Sequence, residues 1–98
     1  MVFDVSKVAG ISDFEKKIEK ERELFLVQEK VFLVVNKNTI ELRSDSKLSK
    51  LLAEEYESVM MSRYFGRGGI EIVMSGQLED NEIEDLVRLS YNLSKEME

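Results

Sequence analysis

Between Leu24 and Arg43 the chain holds three strand-like runs separated by connections of only three residues. Leu24-Phe25-Leu26-Val27 and Val31-Phe32-Leu33-Val34-Val35 flank Gln28-Glu29-Lys30, and Asn36-Lys37-Asn38 leads into Thr39-Ile40-Glu41-Leu42-Arg43. Short apolar or alternating runs bounded by turn residues read as strands, and connections this brief join antiparallel neighbours. The stretch is therefore expected to be a three-strand meander. Thr39 to Arg43 alternates cleanly, with Ile40 and Leu42 inward and Thr39, Glu41 and Arg43 outward. The middle run is apolar almost throughout, which suits a strand with neighbours on both edges. Gln28-Glu29-Lys30 lacks glycine, whereas Asn36-Lys37-Asn38 has asparagines that tolerate the left-handed conformation.

Helical patterns surround the meander. Ser12-Asp13-Phe14-Glu15 fits a capping box. Phe14 and Ile18 fall on one face, so a helix is predicted over Ser12 to Arg22, preceded by a helical turn at Asp4 to Ala9 with Gly10 as the break. Asp45 or Ser46 is expected to cap a second helix whose stripe is Leu48, Leu51, Leu52 and Tyr56. Two strands are predicted around Val59 to Phe65 and Ile70 to Met74, joined through Gly66-Arg67-Gly68-Gly69, with Gly76 closing a turn. A last helix over Glu79 to Glu96 has acids in its first turns, where they complement the helix dipole. Its buried face is expected to comprise Ile83, Leu86, Val87, Ser90, Leu93 and Met97. The predicted order is αβββαββα in one α+β domain over residues 1–98, a mainly antiparallel curved sheet covered by helices.

Composition narrows the chemistry. The 98 residues include no Cys and no His, which excludes disulfides, thiolate nucleophiles, the usual general base and the usual metal ligands. The longest apolar run is far short of the roughly 20 residues of a membrane-spanning helix, so no membrane partner is expected. Met1-Val2-Phe3-Asp4 lacks the basic segment and apolar core of a signal peptide, and a cytoplasmic protein is the default. The net charge of −6 is uneven. Residues 1–67 carry 12 basic and 12 acidic side chains, while residues 68–98 carry Arg88 and Lys95 against eight acids. An acidic total disfavours strong non-specific nucleic-acid binding, although the field of one face decides the matter.

The best candidate binding surface is Arg63, Tyr64, Phe65 and Arg67, which interleave charge with aromatics as single-strand binders do. Strand alternation would divide these residues between two faces. The glycines between two strands read first as a hairpin turn, because phosphate and dinucleotide loops both open onto a helix. A second basic cluster, Arg43, Lys47 and Lys50, spans a strand end and the next helix start, where surface solvation is the plain explanation. Glu79, Asp80, Glu82, Glu84 and Asp85 lack the alternating ligand frame of a calcium loop and read as dipole-complementing acids, so no metal or cofactor is expected. Ser90 has no base placed by sequence, reads as a small residue permitting close approach, and gives no ground for an enzyme.

The second half resembles the MmcQ/YjbR-like family of small bacterial and archaeal proteins. The likeness rests on Glu41-Leu42-Arg43-Ser44-Asp45, on a helix ending at Tyr56, and on Tyr64-Phe65-Gly66-Arg67 leading into Ile70-Glu71-Ile72-Val73. It continues through Ser75-Gly76-Gln77-Leu78-Glu79-Asp80 to Leu86-Val87-Arg88-Leu89-Ser90-Tyr91-Asn92-Leu93, the most specific part. The chain departs from the pattern in the basic hairpin, where the family's His, Asn, Lys and Trp give way to Tyr64, Gly66, Arg67 and Ile70. Only the positive charge at Arg67 carries over. The resemblance implies a curved double-wing sheet and a predicted DNA-binding role. A non-enzymatic binding domain is the resulting expectation, with nucleic acid as the first ligand class and Arg63, Tyr64, Arg67, Arg43 and Lys47 as its residues. The alternative is a protein-interaction or dimerisation module that uses an open sheet edge or the acidic last helix.

Overall fold

A computed structural model describes residues 3–97. Six antiparallel strands form one sheet: β1 (Glu15–Glu19), β2 (Arg22–Val27), β3 (Lys30–Val35), β4 (Thr39–Arg43), β5 (Val59–Ser62) and β6 (Gly66–Val73). Their spatial order is β1-β2-β3-β4-β6-β5. Helix α1 (Ser46–Glu55) follows β4, and α2 (Asp80–Glu96) ends the chain. Both helices pack on one face, α2 across β2, β3 and β4 and α1 across β5 and β6. The observed order is thus ββββαββα after a single 3-10 turn at Val5–Lys7.

The predicted helix over Ser12 to Arg22 is instead strand β1. Phe14 and Ile18 lie four apart, a spacing that fits a helix face but equally fits every second residue of a strand. Two apolar side chains in eleven residues give a helix little to bury. As a strand the segment pairs with β2 from Glu15↔Leu26 to Glu19↔Arg22. Phe14 still reaches the core, edge-on to Phe25 at 5.7 Å between ring centroids. The Lys16 ammonium meets the Glu23 carboxylate at 2.6 Å. Ile18, assigned to the buried side of a helix, is largely exposed.

The meander forms as expected, with β4 and the turn before it at the predicted residues and a tighter β2–β3 hairpin. Gln28 and Glu29 alone connect β2 to β3, at φ +51° and +68°, the backbone of a type I′ turn made without glycine. A β-bulge shapes β3. Phe25 pairs with Leu33 and Leu26 with Val31, so Phe32 is the extra residue and joins Leu33 on the helix side.

α2 docks over that bulge. In the register that pairs Leu33 with Leu42, Phe32 stands opposite Arg43. The Ser90 hydroxyl sits between them, donating to the Phe32 carbonyl at 2.6 Å and accepting from the Arg43 amide at 2.8 Å. Ser90 therefore does more than permit close approach: it completes the ladder where the bulge opens it. Beside it Tyr91 meets Phe32 edge-on at 5.0 Å and donates from its hydroxyl to the Asp13 carbonyl at 3.0 Å. The buried face of α2 is Ile83, Val87, Ser90, Tyr91 and Ser94. Leu86 and Leu93 lie on its half-buried flank and Met97 is exposed, so the face is rotated from the one predicted. The main core joins Ile83, Val87 and Tyr91 to Leu33, Ile40, Leu42, Ile70 and Ile72.

In α1 the predicted cap is present: Asp45 Oδ1 accepts from the Lys47 and Leu48 amides at 2.8 and 2.9 Å. Leu48, Leu52 and Tyr56 are half-buried, and Ser49 is buried. Leu51, expected in the apolar stripe, is exposed because Ser49 centres the docked face.

Candidate functional site

The sheet face away from the helices carries a second, smaller apolar cluster of Leu24, Leu26 and Val34 with Val31 and Phe65. No helix covers it. The cover is the connection between β5 and β6, because the strands do not end where the sequence suggests. β5 stops at Ser62, and the turn is Arg63-Tyr64-Phe65. Gly66-Arg67-Gly68-Gly69 is therefore not the turn but the first half of β6. Gly66, at φ +63°, re-enters the sheet through a left-handed conformation that β-carbon sterics disfavour. At Gly69 a Cβ would stand 2.4 Å from the Leu42 carbonyl oxygen and 2.6 Å from Phe65 Cβ. Only a glycine lets the Phe65 strap lie against the sheet.

Two carboxylates hold the strap. Glu41 and Glu71 are direct cross-strand partners on this face, 1% and 2% exposed. Like charges so placed repel, and burial removes the water that would screen them. Each is satisfied by donors from the strap and the neighbouring turn. Glu41 accepts from the Ser62 hydroxyl and the Tyr64 amide, both at 2.8 Å, and from Asn36 Nδ2 at 2.9 Å. Glu71 accepts from Arg63 Nε at 3.0 Å, Arg63 Nη2 at 2.8 Å and the Thr39 hydroxyl at 2.7 Å. Burial works to raise the Glu41 pKa, but the bonds from Asn36, Tyr64 and Ser62 outweigh it and leave the carboxyl below its ordinary value. The hydrogen bond to Glu71 holds the Arg63 guanidinium above its own.

These contacts define what the predicted site residues do. Arg63 ties the strap to Glu71, with its side chain still 77% exposed. Arg43 lies over the Phe65 ring at 4.8 Å and donates from Nε to the Val31 carbonyl at 2.7 Å, where burial lowers its pKa. Tyr64, 38% exposed, meets Phe65 edge-on at 4.9 Å and lies under the Arg22 guanidinium at 5.1 Å. Arg63, Tyr64 and Arg43 thus converge on one face, since a turn is not bound by strand alternation. Arg67 and Lys47 do not join them. Arg67 lines a cleft of about 270 Å³ against α1, with Ser46, Ser49, Lys50, Ala53 and Met61. Lys47 is exposed on the first turn of α1.

Sequence reasoning missed Arg22, Lys20 and Lys37. They line, with Glu21 and Asn36, an open depression of about 550 Å³ between the β1–β2 and β3–β4 turns. Arg22 links this depression to Tyr64. Had residues 12 to 22 been read as a strand, the hairpin would have carried Lys20 and Arg22 to the end of the sheet beside Lys37. Helix α2, which carries most of the acids of the second half, packs on the face opposite the Phe65 strap. Among the described residues no group of His, Cys, Asp or Glu is arranged to hold a metal ion. No helix among them is long and apolar enough to cross a membrane.

No family model matches the sequence, and no curated protein does. A solved structure is similar: a crystal structure of a protein from Pseudomonas syringae, a structural genomics target. It superposes with a TM-score of 0.75 over 92% of this chain and 94% of that one, at 14% identity. At that identity the likeness is one of fold.

Proposed function

We propose that the chain is a cytoplasmic, non-enzymatic binding domain whose first ligand class is nucleic acid, held single-stranded on the sheet face away from the helices. One observation carries the reading. Tyr64 lies under Arg22 on the face that α2 does not cover, and Arg22 continues into the depression with Lys20 and Lys37 at the end of the sheet. An exposed ring beside backbone-binding cations is the combination that holds single strands, because every base has a face to stack. The resemblance to the MmcQ/YjbR-like family, with its predicted DNA-binding role, points the same way. The absence of His and Cys, and the full engagement of Glu41 and Glu71 with internal donors, support a role without catalysis.

Arg43 and Arg63 act here as struts: they fix the strap, and the strap presents Tyr64. The direct phosphate contacts fall to Lys20 and Lys37. Fluorescence anisotropy with labelled single- and double-stranded oligonucleotides over a salt series tests this. Binding is expected to prefer the single strand and to weaken with salt, and each of Lys20→Glu and Lys37→Glu should lower the salt slope by about one. Arg67→Glu, in the cleft on α1, should leave it unchanged. Absence of binding at about 50 mM salt and high micromolar protein contradicts the reading and leaves the protein-interaction module in its place.

A further inference from the structure

The two edges of the sheet differ in chemistry. β1 is Glu-Lys-Lys-Ile-Glu, exposed throughout, and charges of this kind keep an edge from pairing with another chain. β5 is Val-Met-Met-Ser, uncharged, with Met60 and Met61 43% and 61% exposed. Its inner side pairs with β6, and no strand among the described residues pairs with its outer side. The 270 Å³ cleft lies above this edge. Leu52 and Tyr56 turn one flank of α1 into the main core, which leaves Ser46, Lys50 and Ala53 facing out over Met61, with the buried Ser49 at the inner wall of the cleft. Lys50 and Arg67 border the cleft, and neither makes an ion pair among the described residues. An unpaired edge beside a pocket with an apolar floor is the arrangement by which sheets bind extended peptides, the backbone supplying affinity and alternate side chains supplying selectivity.

We infer that β5 is a docking edge for an acidic extended segment of a partner protein. A bulky apolar side chain of the segment enters the cleft against Met61 and Ala53, and carboxylates two residues to either side meet Lys50 and Arg67. The spacing follows from strand geometry: residues i−2, i and i+2 of an added strand share a face. Charge decides the occupant. Two unpaired cations around an apolar floor select against basic or neutral segments, and methionines at the contact adapt to different apolar anchors. The bulge between Met61 and Ser62 limits pairing to Val59–Met61, so the contact is short and reversible. This surface is separate from the one proposed for nucleic acid.

The test uses the intact 15N-labelled chain and a seven-residue capped peptide with a central leucine flanked at the second position on either side by glutamate. The same peptide with lysine for glutamate is the comparison. Saturable shifts at Val59 to Met61 and Ser49 to Ala53 are expected with the acidic peptide. Lys50→Glu and Arg67→Glu should each weaken binding by roughly fivefold to tenfold while leaving the remaining spectrum intact. Equal binding of the lysine peptide overturns the inference, as does the absence of shifts with either peptide at about 1 mM, a concentration that detects even weak contacts. Concentration-dependent shifts at Met61 without peptide also overturn it, because the occupant is then a second copy of this chain.

Discussion

Two buried serines one turn apart in α2 are predicted to respond to alanine with opposite sign. Ser90 and Ser94 are both fully buried. The Ser90 hydroxyl bridges the Phe32 carbonyl and the Arg43 amide, whereas Ser94 Oγ has no hydrogen-bond partner among the described residues. Ser90→Ala strands one buried acceptor and one buried donor, each costing about 1–3 kcal/mol. Alanine returns roughly 0.5 kcal/mol of helix propensity, so a net loss of about 1.5–5.5 kcal/mol is expected. Ser94→Ala strands nothing, relieves a desolvated hydroxyl and gains the same propensity, for a net gain of about 0.5–2 kcal/mol. Urea denaturation followed by circular dichroism reads both, since equal slopes with displaced midpoints isolate the change in stability. The reasoning fails if the two variants shift the midpoint in the same direction, or if Ser90→Ala lies within about 0.5 kcal/mol of the parent, the range of an ordinary surface change.

Other perturbations address the strap. Gly69→Ala places a Cβ 2.4 Å from the Leu42 carbonyl oxygen, so it should destabilise by about 1–3 kcal/mol as overpacking does, and an unchanged denaturation midpoint would show that Phe65 moves aside freely. Glu41 is held below its ordinary pKa, so its contribution to stability is present above the unfolded value of about 4.3 and is lost as pH falls through the folded value. Glu41→Gln should therefore flatten the fall of stability between about pH 5 and pH 3, and parallel profiles for parent and variant would refute the assignment.

What the sequence disclosed follows from which residues carry local signals. β4 was legible because Thr39 to Arg43 alternates without ambiguity, and the start of α1 because Asp45 precedes an apolar period. β1 was not. Phe14 and Ile18 satisfy both periods, Ser12 and Glu15 mimic a cap, and the deciding partner, β2, lies across a hairpin. The β5–β6 turn was misplaced by three residues because its glycines serve a close approach to Phe65 and a re-entry into the sheet. Glu41 was correctly turned away from the helices, yet nothing local shows that the Tyr64 strap would bury it. The candidate residues divide the same way: Arg63 and Tyr64 stand out beside their glycines, whereas Lys20, Arg22 and Lys37 converge only through a hairpin whose first strand carries a helical pattern.

The claim that ligand lies across Tyr64 and the adjoining depression is tested most directly by amide chemical-shift mapping with a short single-stranded oligonucleotide at low salt. Saturable shifts are expected at Lys20, Arg22, Lys37 and Tyr64 that reverse on raising the salt, with α2 from Asp80 to Glu96 undisturbed. Shifts confined to α1 and β5, or no shifts at millimolar oligonucleotide, would contradict it.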